Sequence, residues 1–148
     1  MVFKQVICLK MVMLAVLSLF LVACSSDSEP KVLGRWYSQT QVDKGNLLFA
    51  ANCAQCHGGS AQGTSNWNKP LANGKYPPPP LNGQAHAWHH PLIGLKRTIQ
   101  KGGVALGGTM PGFENRLSEA DQDAVIAYFQ SLWPDQTYQA WVKRGGLK

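Results

Sequence analysis

Charge is scarce in this sequence, and nowhere is it clustered. Only 15% of the 148 residues are charged, and the 14 lysines and arginines are spread along the chain without a basic run. Because nucleic-acid binding relies on a basic patch, this pattern argues against DNA or RNA as a partner. The sequence also has no internal repeat. It has no Ser/His/Asp set or pair of carboxylates of the kind that would indicate an enzyme.

The sequence lacks an apolar stretch long enough to cross a membrane as a helix. Its apolar run at residues 11–22 has 12 residues and is interrupted by Ser18, whereas a spanning helix needs about 20. Lys4 and Lys10 precede the run and a small-residue site ends it, which is the layout of a secretory signal. We therefore predict that residues 1–23 are a signal that is removed.

The end of that signal, LVAC at residues 21–24, resembles the bacterial lipoprotein box, which is cut directly before its cysteine. The resemblance implies that Cys24 becomes the first residue and carries a diacylglyceryl group, which tethers the protein to a membrane. An ordinary cleavage site with a chance cysteine is the alternative. Residues 24–41 are predicted to form a polar tether. By resemblance to lipoprotein sorting rules, Ser25 favours the outer membrane, on the periplasmic side of the cell envelope.

Cysteine is limited to Cys8, Cys24, Cys53 and Cys56, of which the first two are assigned to the signal and the lipid. The other two lie in NCAQCHGG at residues 52–59, and an exported chain would not normally leave a dithiol free. A structural zinc site would need two more ligands from the histidines farther along the chain. A thioredoxin-like dithiol would need a preceding strand, whereas VDKGNLLFAAN predicts a helix.

The motif C-x-x-C-H is itself the attachment signal of covalent haem c, and it explains why a histidine follows the second cysteine. In that chemistry the thiols of Cys53 and Cys56 add to the porphyrin vinyl groups as thioethers. The adjacent His57 binds the iron from one side of the ring. We therefore predict one covalent haem c.

Methionine is even scarcer, because Met110 is the only one beyond the predicted signal. It stands in GGTMPGF, where glycines let the backbone pass close to a flat cofactor and Pro111 stiffens the chain. The alternative is a methionine that fills a gap in the core, but such a residue would more often sit in a helix. Met110 is therefore the candidate for the sixth ligand of the iron.

CAQCH, the later GGTMPGF and a terminal amphipathic helix, in this order, resemble a class I cytochrome c over about residues 42–133. The resemblance implies an all-α fold in which a few helices and long Gly/Pro-rich loops wrap around one haem. It implies His57 and Met110 as the axial ligands of the iron. It also implies that the carbonyl of Pro79, in PPLNG, accepts a hydrogen bond from the other ring nitrogen of His57.

Apolar spacing predicts helices at residues 42–52, 91–100 and 119–133. Ser118 should cap the last helix and Pro134 should end it. In the family the first and last helices cross, which would place Gly45 and Phe49 opposite Tyr128. These boundaries put the cytochrome domain at residues 42–134 and a C-terminal extension at residues 135–148. The predicted inward-facing residues of the three helices are Val42, Leu48 and Phe49; Leu92, Leu95 and Ile99; and Val125, Tyr128, Phe129 and Leu132.

The stretch HAWHHP, at residues 86–91, has three histidines in five residues. His86, His89 and His90 could bind a transition metal or supply an alternative ligand for the haem iron. The other interpretation is a surface turn before the middle helix, with Trp88 packed near the haem. Three residues are candidates for holding the haem propionates, because buried carboxylates need donors: Trp67, Trp88 and Arg97.

Two functions of different classes remain open. The first is a one-haem electron carrier without enzymatic activity, which cycles between Fe(II) and Fe(III) and serves redox proteins of the cell envelope. The second is a haem enzyme or sensor with a displaceable sixth ligand from the histidine stretch. Met110 discriminates between them, because a tightly bound methionine would keep small ligands such as carbon monoxide off the iron.

Overall fold

The computed structural model describes residues 29–148, so the predicted signal and the lipid site at Cys24 lie outside the described residues. Within that range the chain folds into α-helices and short 3₁₀ turns without a β-sheet, which confirms the all-α fold class. No helix in the described range is long and apolar enough to cross a membrane. The helices are α1 (Gln39–Asn52), α2 (Ala54–His57), α3 (Leu92–Lys101), α4 (Glu119–Ser131) and α5 (Asp135–Lys143), with 3₁₀ turns at His86–His89 and Val104–Leu106.

A capping box starts α1 three residues before the predicted position. The backbone N–H of Gln41 donates to the Ser38 hydroxyl at 3.2 Å, and the Ser38 N–H donates to the Gln41 side chain at 3.0 Å. These bonds satisfy N–H groups that the first turn of a helix leaves unpaired. The apolar pattern did not reveal this start, because the first turn carries polar side chains.

The crossing of α1 and α4 at Gly45 is the centre of the fold. A Cβ atom on Gly45 would lie 2.6 Å from the carbonyl carbon of Ala124 and 2.9 Å from Cβ of Tyr128, so a side chain here would force the helices apart. Beside this contact, the ring centroids of Phe49 and Tyr128 are 5.1 Å apart. The predicted pairing of Gly45 and Phe49 with Tyr128 is confirmed.

More of α4 is buried than a single apolar stripe predicts. Val125 and Phe129 face the core as expected, and Ser118 caps the helix through a hydrogen bond from the Asp121 N–H at 3.2 Å. The prediction for Leu132 is wrong: the helix ends at Ser131, and Leu132 caps it with 37% of its surface exposed. The buried residues of α4 are Gln122, Ala124, Val125, Ile126, Ala127, Phe129 and Gln130.

Two segments that flank the predicted domain contribute to the same core. Tyr37, in the predicted tether, and Tyr138 and Trp141, in the predicted extension, are each 1% exposed. Next to Tyr37, Trp36 donates from Nε1 to Oε1 of the buried Gln130 in α4 at 2.6 Å. The packed unit therefore extends beyond residues 42–134 on both sides, because aromatic side chains from both flanks belong to the same hydrophobic core.

Candidate haem-binding site

A cavity of about 650 Å³ lies between helices α1 to α4 and the loops that join them. Its volume falls in the range of cofactor sites, about 300–1,000 Å³. The residues that line it include the chemically distinctive groups of the sequence: the thiols of Cys53 and Cys56, the imidazole of His57 and the thioether of Met110. The fold thus brings together groups that are up to 57 residues apart in the chain.

The C-x-x-C-H motif forms one helical turn at the end of α1. The N–H groups of Cys56 and His57 donate to the carbonyl of Cys53 at 3.1 and 2.9 Å. Residues three and four apart in a helix share a face, and so both thiols and the imidazole reach the same cavity. Burial, with a smaller effect from Cys56, raises the pKa of the Cys53 thiol to about 11. The motif directly follows helix α1 and not a β-strand, which argues against the thioredoxin-like alternative.

His57 is buried, with 7% of its surface exposed, and its Nδ1 lies 2.9 Å from the carbonyl oxygen of Pro79. The family resemblance assigned a hydrogen bond to this pair. Since a carbonyl can only accept, Nδ1 carries the proton and Nε2 is left free to bind a metal. Burial lowers the pKa of His57 below its ordinary value, while the bond to Pro79 has the opposite effect. A neutral imidazole is the form that binds a metal.

The segment at residues 77–81 is held firmly against the motif. The N–H of Thr64 donates to the carbonyl of Pro78 at 2.9 Å, and the indole N–H of Trp133 donates to the carbonyl of Leu81 at 2.7 Å. Gly63, at φ +60°, packs directly against this segment, since a Cβ there would lie 2.6 Å from the Pro79 oxygen. Residues 53–57 and 77–81 together form the histidine wall of the cavity.

Met110 belongs to a loop, residues 102–113, that folds back on the end of α3 and forms the methionine wall. The N–H of Gly103 donates to the carbonyl of Met110 at 2.9 Å, and the N–H of Phe113 donates to Ile99 at 2.9 Å. Gly102, at φ +76°, makes the return possible, because a Cβ there would lie 2.5 Å from the Met110 oxygen. The half-buried side chain of Met110 packs against the apolar core and lines the cavity.

The residues predicted to hold the haem propionates are only partly brought to the cavity. Trp67 lines it, but Trp88 and Arg97 do not, which corrects the prediction for these two. The 3₁₀ turn places the Trp88 ring under the guanidinium of Arg144, 5.4 Å from it, and against the ring of His89. Arg97 is exposed on the solvent side of α3.

Arg116 lines the cavity although no motif or spacing in the sequence singled it out. Its Nη2 donates to Oδ1 of Asn52, the residue before Cys53, at 3.4 Å, and its guanidinium lies 5.4 Å from the Phe113 ring. This placement depends on a contact between residues 64 positions apart. The residues around either position in the sequence do not indicate a contact over that distance.

Only two of the three histidines in the stretch at residues 86–91 line the cavity. His86 and His90 line the cavity, with ring centroids 5.4 Å apart, whereas His89 does not line it. Within residues 29–148 no group of three or more His, Cys, Asp or Glu side chains is arranged to hold a metal ion. The interpretation of this stretch as a separate transition-metal site therefore has no geometric support in the described chain.

Residues 40–129, more than half of the chain, match the family model described as cytochrome c oxidase, cbb3-type, subunit III. Over 115 residues the chain is 30% identical to cytochrome c6 of Synechocystis sp., an alignment that covers 74% of this chain and 77% of the relative. The chain belongs to the class I c-type cytochromes. The cytochrome is also 32% identical over 110 residues to the cbb3-type oxidase subunit CcoP of Rhodobacter capsulatus, covering 69% of this chain but only 33% of that protein. No solved structure matches it significantly.

A cytochrome of this family binds one covalent haem c and uses it for electron transfer. The residues present fit that group, because two thiols three residues apart, an oriented imidazole and a thioether line one largely apolar cavity. Apolar surroundings and axial ligands are the features through which a protein sets the potential of a haem iron.

Proposed function

We propose that this cytochrome is a membrane-tethered electron carrier of the cell envelope, with haem c attached to Cys53 and Cys56 and its iron held by His57 and Met110. One observation carries the proposal: all four side chains line the same cavity. His57 is already oriented, because its Nδ1 bond to Pro79 directs Nε2 as the ligand atom. A bound haem supplies the Fe(II)/Fe(III) couple, and the soft sulfur of Met110 favours Fe(II) and so raises the potential.

The walls of the cavity suit electron transfer rather than catalysis. Phe49, Leu95, Ile99 and Phe129 are buried side chains that line it and exclude water. At its mouth, Tyr76 and Leu106 line the cavity and yet are 45% and 76% exposed. A partner could therefore approach the cavity at this mouth. We propose a redox protein of the cell envelope as that partner, and the similarity to CcoP favours one associated with a membrane oxidase.

Replacing Met110 by Ala tests the ligand assignment. The haem should stay attached, because thioether bonds do not depend on the sixth ligand. The midpoint potential should fall, by 59 mV for each ~1.4 kcal/mol of lost preference for Fe(II). The sulfur-to-iron charge-transfer band of the oxidised protein should disappear, and carbon monoxide should bind the reduced protein. Val104→Ala, in the same loop but away from the cavity lining, is the matched control and should change none of these.

A second candidate is a haem enzyme or sensor in which His86 or His90 supplies the sixth ligand, since both line the same cavity as Met110. The same experiment separates the two. A wild-type protein that lacks the charge-transfer band, and whose potential hardly responds to Met110→Ala, would refute the methionine ligand and favour the histidines. Rapid binding of carbon monoxide by the untreated wild-type protein would point the same way.

The membrane tether is tested separately, through Cys24→Ser. If the cysteine carries the lipid, the variant should leave the membrane fraction and appear in the soluble fraction after ultracentrifugation. Ser25 leads us to propose the outer membrane as the site of the wild-type protein, which density-gradient separation of the two membranes would check. A Cys24→Ser protein that remains in the pellet would show that the attachment lies elsewhere.

A further inference from the structure

His86 and His90 occupy a defined place in the wall of the haem cavity. Their rings meet edge to face, and the ring of Trp67, which also lines the cavity, stacks on His86 with a centroid distance of 4.9 Å. The turn that carries them is fixed from outside, because the indole N–H of Trp141 donates to the carbonyl of His90 at 2.8 Å. The two histidines therefore have a fixed position in the wall of the cavity and do not belong to a loose surface loop.

The chemistry of the ring indicates which of its edges this pair faces. A c-type haem has its two thioether positions on one side of the macrocycle and its two propionates on the other. Asn52, next to Cys53, accepts a hydrogen bond from Arg116, which places Arg116 at the thioether side. The basic side chains that line the cavity among the described residues are His57, His86, His90 and Arg116. With His57 on the iron, the two histidines of the turn are the basic groups left for the propionates.

We propose that His86 and His90 form a proton-uptake site beside the haem carboxylates, so that reduction of this cytochrome is coupled to protonation of the pair. The electron comes from a one-electron protein donor and goes to Fe(III), which becomes Fe(II). The proton comes from solvent and is bound by an imidazole nitrogen of the pair. Electron and proton together leave the net charge of the cavity unchanged, which is favourable in an apolar site. The inference rests on the proposed function only in requiring haem on Cys53 and Cys56.

The groups around His86 set the pH range of the effect. Burial, followed by His90 and His89, lowers the pKa of His86 below its ordinary value of 6.5, whereas a nearby propionate would raise it. From α5, the guanidinium of Arg144 faces the turn across Trp88. From the preceding loop, the phenol of Tyr76 lines the same cavity. On α3, the ammonium group of Lys96 is paired with Asp123 of α4 at 2.8 Å and not with either histidine. The titration is therefore expected near and below neutral pH.

The sign of the effect follows from charge. Reduction removes one positive charge from the iron centre, so the pair binds a proton more tightly in the reduced state than in the oxidised state. The midpoint potential should be constant at pH values below both titrations, and should fall as the pH rises between the oxidised-state and reduced-state pKa values. The steepest slope for one proton per electron is about 59 mV for each tenfold change in proton concentration.

The test is the midpoint potential of the haem-loaded protein from about pH 5 to about pH 8, the range in which histidine titrates. The wild-type protein should show the fall, and the double variant His86→Gln with His90→Gln should lose it. His89→Gln is the matched control, because His89 is in the same turn but does not line the cavity, and it should keep the wild-type slope. Proton NMR of the wild-type protein should find a higher pKa for His86 in the reduced state than in the oxidised state.

Two outcomes would overturn the inference. One is a wild-type potential that does not change over this range; the other is a double variant with the wild-type slope, which would assign the proton to the carboxylates alone. The NMR titration needs no substitution, and so it decides the matter even if the double variant folds poorly. A missing charge-transfer band in the wild-type protein would instead refute Met110 as the sixth ligand. It would not bear on the proton-uptake site, which the pH dependence of the midpoint potential tests independently.

Discussion

The histidine wall and the methionine wall of the cavity are built in different ways. His57 lies in a helical turn, is 7% exposed, and has its ring fixed by the Pro79 carbonyl at 2.9 Å. Met110 lies in an irregular loop, is half-buried, and only the backbone around it is fixed, through the bond from Gly103 at 2.9 Å. Of the two proposed ligands, His57 is held through its own side chain, whereas Met110 is held only through the backbone of its loop.

This difference indicates how each wall would set the properties of the iron. A hydrogen bond to the far nitrogen of an imidazole makes it a more basic ligand, which stabilises Fe(III). The methionine wall has no such side-chain partner, so its effect depends on whether the loop keeps the sulfur in reach. We therefore expect a substitution that disturbs the histidine wall to change the basicity of His57 as a ligand while His57 stays bound to the iron. Disturbance of the methionine wall should instead release its ligand altogether.

Gly63→Ala would disturb the histidine wall and should have the largest effect on stability. The new Cβ would meet the Pro79 oxygen in a segment fixed by several hydrogen bonds, and the residue would also be strained at φ +60°. We expect a loss of about 3 kcal/mol in the free energy of unfolding, measured in urea. The potential should rise, because the bond from His57 to Pro79 weakens, while the charge-transfer band of Met110 remains.

Gly74→Ala is the control for that variant. Gly74 has a similar backbone conformation, φ +75°, but a Cβ there would meet no atom within 4 Å, so the substitution adds strain without a clash. It should cost about 1 kcal/mol and leave the potential unchanged. Equal losses of stability in the two variants would show that Gly63 is needed only for its backbone conformation and not for contact with the histidine wall.

Gly102→Ala would disturb the methionine wall and should have the intermediate effect. Its Cβ would lie 2.5 Å from the Met110 oxygen and 2.7 Å from the carbonyl carbon of Pro111, but the loop is more exposed and can move away. We expect a loss of about 2 kcal/mol in stability. The charge-transfer band should weaken or vanish and the potential should fall, opposite in sign to Gly63→Ala. A fall of the same sign in both variants would contradict the contrast between the walls.

Asp121→Asn should have the smallest effect, because it touches neither wall. Lys44 in α1, at 2.7 Å, and then Ser118 lower the pKa of Asp121 to about 2. Since the folded-state pKa lies below the ordinary value of 3.8, the ionised carboxylate stabilises the fold above about pH 4 and loses this effect as the pH falls towards 2. At neutral pH the variant should lose less than about 1 kcal/mol, with the potential unchanged.

The comparison with Glu119→Gln sharpens this last prediction. Glu119 lies in the same first turn of α4 but makes no side-chain hydrogen bond or ion pair with another described residue. Acid unfolding curves from about pH 5 to about pH 2 should show the wild-type protein and Glu119→Gln losing stability over the window in which Asp121 titrates. Asp121→Asn should be less sensitive there, and an equal sensitivity of all three would exclude Asp121 as the titrating group.

Local patterns were sufficient where a helix carries its own signals. The centre of α1, the span of α3 within one residue, and the cap of α4 at Ser118 all follow from apolar spacing and capping residues. The close approach at Gly45 also follows, because a family pattern of small and aromatic residues specifies it. Patterns failed at Leu132 and at the start of α1, where the end of a helix depends on a cap or a neighbour rather than on periodicity.

What the sequence determined by itself is the chemistry of this cytochrome: the C-x-x-C-H motif, a lone methionine beyond residue 23 between glycines and a proline, and an all-α fold. The reason is that covalent attachment and metal ligation require particular atoms at short spacings, which the sequence displays directly. Only the tertiary structure decided that Arg116, His86 and His90 line the cavity, that Trp88 and Arg97 do not, and that aromatic residues from both flanks complete the core. Those placements depend on contacts between residues far apart in the chain, which form only when the helices pack.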